Sequence, residues 1–249
     1  MLRQNWELQM NKEIALITWT HNEYSDIWPM YFGRLDKHLK YDKSYIFLDK
    51  QSNKIPDNHV QLINNDQHPW HKRFLQCLDQ VEEDYILYMQ EDHIFYEDVD
   101  TKKLNELFSF FKDSEYSSLR LIKSGELGGL EIKQNVFDIP TDSQYSLSQQ
   151  SAIWKKQDLK EIISFYRPST FRDVEAYGSF AMNNLNKKSC YYHCDGQQRG
   201  SLHFDSKIFP YVATAICKGK WNLKQYPDVL DKAFKEYNVE FSTRGVYEL

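Results

Sequence analysis

The sequence predicts an α/β fold, with a mostly parallel β-sheet flanked by helices. Three observations carry the prediction. Apolar, β-branched runs alternate with helix-period stretches through the first third of the chain. The run Tyr85, Ile86, Leu87, Tyr88, Met89 has no polar alternation, as in a strand covered on both faces. That run stops abruptly at Glu91, Asp92 and His93, and in parallel sheets ligands sit just beyond the carboxyl ends of the strands.

Residues 13–19 (EIALITW) form the first predicted strand, with Thr18, Thr20, His21 and Asn22 at its end. Ile27, Met30, Tyr31, Leu35 and Leu39 predict a helix over 25–39, with Pro29 tolerated in its first turn. Residues 44–48 give a second strand ending at Asp49, and 60–63 a short third. Trp70, Phe74, Leu78 and Val81 form one buried stripe of a helix over 69–82. His71 and Arg73 lie on its other faces. The central strand follows, and with it the acidic turn.

Beyond the turn, Asp100 reads as an N-cap for a helix carrying Leu104, Leu107, Phe108 and Phe111. Residues 118–122 are a strand, and 130–137 a hairpin arm after the GELGG loop at 125–129. Residues 146–154 run as a strand directly into a helix that ends before Pro168. A further helix is predicted over 171–185, strands over 190–192 and 208–216, and a C-terminal helix over 222–238. With no repeats and no linker, residues 1–249 read as one domain in two functional halves joined near residue 100.

Composition narrows the function. The chain has 249 residues, enough for a substantial core, and a net charge of −5. That charge gives no electrostatic footprint for a duplex nucleic acid. No stretch is long and apolar enough to span a bilayer, so membrane contact is peripheral at most. The N-terminus lacks a signal-peptide core, and four cysteines without a secretory signal read as reduced thiols, so a cytoplasmic location is expected. Cys190, His193, Cys194 and His203 have a spacing that matches no standard zinc pattern. P-loop, G-x-S-x-G and G-x-G-x-x-G motifs are all missing from the sequence.

The acidic turn has the ligand chemistry of a hard cation that holds phosphates: Glu91 and Asp92 offer carboxylate oxygens and His93 an imidazole. The same residues also fit a solvated turn after a core strand.

The order of these pieces resembles a GT-A-type glycosyltransferase of the small bacterial surface-polysaccharide kind. YILYMQEDH stands where that fold has its DXD metal motif. QQSAIWKKQDL (149–159) and FRDVEAYGS (171–179) look like the acceptor half of such enzymes, and KGKW (218–221) like a basic-aromatic loop near the end. The standard motif has Asp at both ends, whereas here the frame is Glu-Asp-His or Gln-Glu-Asp.

The resemblance implies a GT-A-like sheet with a nucleotide-sugar half (about 1–100) and an acceptor half (about 101–249). Asp92, with Glu91 and His93, would hold Mn²⁺ or Mg²⁺ on the donor diphosphate. Thr18, His21, Asn22, Asp49 and Arg73 would line the pocket of a UDP-, GDP- or CMP-linked sugar. Lys218 and Lys220 would offset the charge of the leaving diphosphate. Glu175, and after it Asp173, would deprotonate the hydroxyl of a glycan or lipid-linked acceptor. Two alternatives keep the fold and change the role: a related nucleotidyltransferase, or an inactive carbohydrate-binding or scaffold protein.

Overall fold

The computed structural model describes residues 9–125 and 128–248. Four parallel strands build one half of the sheet: β1 (Ile14–Trp19), β2 (Ser44–Leu48), β3 (Val60–Ile63) and β4 (Tyr85–Gln90). Between them lie α1 (Trp28–His38) and α2 (Trp70–Leu78), each shorter than its sequence pattern. Pro29 sits in the first turn of α1, where its missing N–H costs nothing. α2 spans only 9 residues, too short to hold alone. Burying Trp70, Phe74 and Leu78 stabilises it by roughly 2 kcal/mol per side chain.

The chain then crosses through β5 (Ile94–Phe95) into α3 (Thr101–Lys112). The Asp100 carboxylate accepts the Lys103 N–H at 2.9 Å, capping α3 as its sequence position implies. Next come β6 (Ser118–Arg120), the hairpin β7 (Glu131–Lys133) and β8 (Val136–Asp138), and β9 (Ala152–Lys155), which leads into α4 (Lys156–Tyr166) without a break. α5 (Asp173–Asn184) and β10 (Ser189–Tyr192) follow, then the short strands β11 (Gln198–Arg199) and β12 (His203–Phe204).

The nine-stranded sheet has the order β3-β2-β1-β4-β9-β6-β10-β8-β7. Only β8 and β9 run against the rest, β9 being antiparallel to both β4 and β6. β9 fills the gap between the two parallel groups, so the halves joined near residue 100 share one continuous sheet.

Helices cover both faces. Along β1, Ile14 and Leu16 pack into one cluster with Trp28, Leu104 and Leu230. Ala15 and Ile17 pack into the other with Phe74, Ile162 and Ala181. This two-sided burial is why the central strands read as unbroken apolar runs.

Toward the C-terminus the expected strand over 208–216 is two pieces, β13 (Tyr211–Val212) and β14 (Ile216–Cys217). β13 pairs with β5 and β14 with β15 (Lys220–Trp221). The final helix, α6 (Pro227–Tyr237), starts five residues later than its apolar pattern because Pro227 occupies its first turn. No helix among the described residues is long and apolar enough to cross a membrane.

Candidate functional site

Because β1 to β4 are parallel and in register, their carboxyl ends lie along one edge of the sheet, with Trp19 beside both Phe47 and Gln90. A cavity of about 500 Å³ opens there. Its floor is Trp19, Thr20 and His21 from the end of β1 and Glu91 and Asp92 from the end of β4. Tyr24 forms a side wall. The opposite walls come from the second half of the chain: Phe171 and Arg172 ahead of α5, and Ile216, Lys218 and Gly219 of the β14–β15 hairpin. The cleft continues over the ends of β2 and β3 as a hollow of about 380 Å³, sharing Trp19, His21 and Phe171 and adding Asp66, His68 and Arg73.

The hairpin turn owes its shape to two residues in the left-handed region, Lys218 (φ 51°) and Gly219 (φ 79°). Such a turn matches the twist of a tight hairpin and carries Lys218 over the cavity. Arg244 secures this wall from behind. It donates to Gly219 O, pairs with Asp26 and lies over the Tyr24 ring at 4.7 Å.

Glu91 and Asp92 are the electrostatic centre. Burial, then the charge of Asp92, pushes the Glu91 carboxyl up to about 8. Burial pushes Asp92 up to about 7, against the hydrogen bond its Oδ2 accepts from Ile216 N–H at 3.2 Å. Among the described residues neither carboxylate has a Lys or Arg ion pair within 4.0 Å. Two adjacent carboxylates facing one cavity, Glu91 buried and Asp92 partly buried, without a Lys or Arg ion pair, suit a hard divalent cation that brings the missing positive charge.

Of the three residues expected to ligate, His93 is turned away. Its ring is buried, with Nδ1 3.0 Å from Ser151 Oγ and the ring centroid 4.9 Å from that of Tyr211. Burial pulls its pKa down to about 3. Nε2 lies 4.0 Å from Asp92 Oδ1, so His93 backs Asp92 and does not face the cavity.

A second group of possible ligand atoms lies in the adjoining hollow. His21 Nε2 is 3.5 Å from Asp49 Oδ2 and 3.4 Å from Asp66 Oδ2. Its Nδ1 accepts the Glu23 N–H at 3.2 Å. That leaves Nε2 facing the two carboxylates. The three ligand atoms lie within 4.8 Å of one another, close enough to share a cation, and Arg73 supplies charge at 2.6 Å from Asp66 Oδ1.

The remaining expected residues divide. Thr18, expected at the pocket wall, is fully buried beneath it, its hydroxyl 2.7 Å from Tyr31 Oη; strand alternation turns it into the core. Asn22 braces the ends of β1 and β2, donating to Asp49 Oδ1 from its backbone at 2.8 Å and to Lys50 O from its side chain at 2.7 Å. Asp49 is thus committed to Asn22 and His21. Arg73 lies over the Trp19 ring at 5.3 Å and donates to Asn64 Oδ1 at 2.7 Å. Lys218 lines the main cavity, whereas Lys220 is an exposed residue of β15 outside its lining.

Neither expected base lines the cavity. Asp173 accepts the N–H groups of Thr170 and Ser169 at 2.7 and 3.1 Å, which holds its carboxyl below the usual range and fastens the turn that leads into α5. Glu175 Oε1 accepts Gln149 N–H at 2.7 Å and faces a separate hollow of about 190 Å³.

Several residues of the site have no role in the sequence reading, Tyr24, Asp66, Arg172 and Arg244 among them. Asp66 lies just past the end of β3, so the carboxyl-end rule that selects Asp49 and Asp92 selects it too. Arg172 stands inside the FRDVEAYGS stretch beside the carboxylates singled out there. Arg244 carries no local signal.

No protein-family model and no curated protein matches this sequence. Solved structures match it by fold. CMP:2-keto-3-deoxy-manno-octonic acid synthetase complexed with CTP aligns with a TM-score of 0.51 at 10% identity, over 90% of this chain and 98% of that one. A cytidylyltransferase from Leptospira borgpetersenii aligns with a TM-score of 0.49 at 10% identity, over 96% and 100% of the two chains. S. aureus TarS 1–349 aligns with a TM-score of 0.46 at 14% identity, over 91% of this chain and 64% of that one. The sheet order and the likeness to the first of these define a GT-A-like α/β fold.

Proposed function

We infer that this protein is a metal-assisted glycosyltransferase that moves a sugar from a nucleotide donor to a glycan or lipid-linked acceptor. One observation carries the reading: paired carboxylates, Glu91 and Asp92, face Arg172 and Lys218 across one cavity at the carboxyl edge of the parallel strands. A diphosphate needs positive charge on both of its sides. Lys218 and Arg172 provide it from the wall. A Mg²⁺ or Mn²⁺ ion held by Asp92 and Glu91 would provide it from the floor, stabilising the negative charge that develops on the leaving group.

Trp19, Tyr24 and Phe171 offer flat faces for a base or a sugar. Asp66, Arg73 and His21 line the adjoining hollow with hydrogen-bonding groups for the rest of the donor. In the transfer the acceptor oxygen bonds to the anomeric carbon while the bond from that carbon to the diphosphate oxygen breaks. The leaving nucleoside diphosphate keeps that electron pair, and the acceptor proton passes to a carboxylate, for which Glu175 remains the candidate. The division of labour is donor in residues 1–100 and acceptor in 101–249, with the second half also closing the wall of the donor cavity.

The test is thermal stability with UDP, GDP or CMP, each with and without Mn²⁺, followed by product analysis with the donor that stabilises. A metal-dependent shift with one nucleotide, and release of the nucleoside diphosphate (or CMP) with the sugar on a new acceptor, is the expected result. Formation or cleavage of a nucleotide sugar with pyrophosphate would instead identify a nucleotidyltransferase. No shift with any nucleotide would refute both.

A further inference from the structure

The hollow that Glu175 faces lies apart from the donor cavity, and its chemistry is different. Its volume is about 190 Å³, less than half the 500 Å³ of the donor cavity. That favours a ligand smaller than a nucleotide sugar, on the scale of one sugar ring. Its lining is dense in hydroxyl-recognising groups: Ser124, Ser148, Gln150, Thr214, Glu175 and His203.

Several of these are fixed in place. Gln150 donates to Ala213 O at 3.1 Å and its Oε1 accepts from Tyr211 Oη at 2.9 Å. Ser148 Oγ accepts Gln150 N–H at 3.2 Å. Beneath the hollow Arg120 is buried, and its guanidinium donates to Ser124 O at 3.4 Å and Tyr145 O at 2.5 Å, so one residue pins both loops that form the rim.

Other capacity is unspent. His203 is buried beside the Gln225 side chain, and neither its Nδ1 nor Gln225 Oε1 makes a hydrogen bond within 3.5 Å. Glu175 uses Oε1 on Gln149 N–H, and no hydrogen bond occupies its Oε2 among the described residues. A buried polar atom left unmatched costs about 1–3 kcal/mol, so a site that carries one gains when a hydroxyl arrives.

We propose that this hollow is a binding subsite for a single neutral sugar ring, and that it holds the hydroxyl-bearing end of the acceptor. The second clause rests on the transferase reading; binding of a ring does not. A neutral ligand fits better than an anion. The Glu175 carboxylate sits in the lining and repels anions, while Arg120 is committed to carbonyls and lies outside it. The hollow and the donor cavity flank the same segment, with Thr214 on one side and Ile216 on the other. A ring in one is therefore a neighbour of a donor in the other.

The experiment uses the full chain and a panel of free monosaccharides, each scored by saturation-transfer NMR at millimolar concentration, with inorganic phosphate as a separate arm. Two variants accompany it. Thr214→Phe fills the mouth of the hollow. Glu175→Gln keeps the acceptor oxygen for Gln149 N–H and removes the charge. At least one sugar should bind the wild type, tenfold or more weaker to each variant, with the nucleotide-dependent stabilisation unchanged in both. Sugar binding unaffected by Thr214→Phe, no binding by any sugar, or phosphate binding in place of sugar would overturn the subsite. A wild type that binds sugar but no nucleotide would sink the transferase reading and leave the ring-binding site standing.

Discussion

Asp92 Oδ2 accepts a hydrogen bond from the backbone N–H of Ile216 at 3.2 Å, tying the floor of the cavity to the hairpin that carries Lys218. The two residues are 124 positions apart in sequence. Asp92→Asn keeps an oxygen that can accept from Ile216 and removes the charge. The variant should therefore fold with a Tm close to that of the wild type and lose the Mn²⁺-dependent part of nucleotide stabilisation. Differential scanning fluorimetry with and without metal reads both. Metal dependence that survives the substitution would sink the ligand assignment.

Lys218 stands in the left-handed region at φ 51°, where Asn is among the best-tolerated replacements. Lys218→Asn should leave the hairpin intact and remove one cation from the diphosphate wall. A hydrogen bond to a charged group contributes about 1.5–3 kcal/mol, so nucleoside diphosphate affinity should fall by about tenfold or more. Calorimetric titration measures the loss, and an unchanged Kd would remove Lys218 from the site.

Gly178 lies inside α5 against Leu147. An added Cβ would stand 2.8 Å from Leu147 Cβ and 3.0 Å from both of its methyls. In an open helix Gly→Ala stabilises by about 1 kcal/mol. Here overpacking costs about 1–3 kcal/mol and should win, lowering Tm by a few degrees. A rise in Tm would mean that Leu147 yields without strain.

His203 gives the fold an acid sensitivity. Burial pulls its pKa down to about 4 against the opposing effect of the Gln225 side chain, with a smaller lowering from the Arg120 charge, whereas an unfolded histidine titrates near ~6.5. Between those values the unfolded chain takes up a proton that the native state refuses. The neutral ring's contribution is therefore complete above pH ~6.5 and is lost as the pH falls toward 4, on the order of 2–3 kcal/mol. His203→Gln does not titrate. Urea midpoints at neutral and mildly acidic pH should fall more steeply for the wild type than for the variant. Parallel slopes would show that His203 protonates freely in the native state.

The fold was largely legible because its signals are local. The unbroken apolar run of β1 and the stripe Trp70, Phe74, Leu78 need only neighbouring residues to be read. The Asp100 cap and the acidic stop after β4 are local too. The direction of β9 was not legible. Its apolar run is the same read either way, and its pairing is decided by the space left between β4 and β6.

By itself, then, the sequence determined a two-faced α/β sheet and a row of polar residues at the ends of its strands. Tertiary structure decided which of those residues share a cavity. It brought Glu91 and Asp92 together with Arg172 and Lys218, turned Thr18 and His93 inward, and set Glu175 in a hollow of its own. The physical reason is that strand ends are fixed by local pattern, whereas the opposite walls come from residues 171–172 and 216–219, far along the chain. Their approach depends on the order of strands across the sheet and on single long-range contacts such as Asp92 to Ile216, which no periodicity encodes.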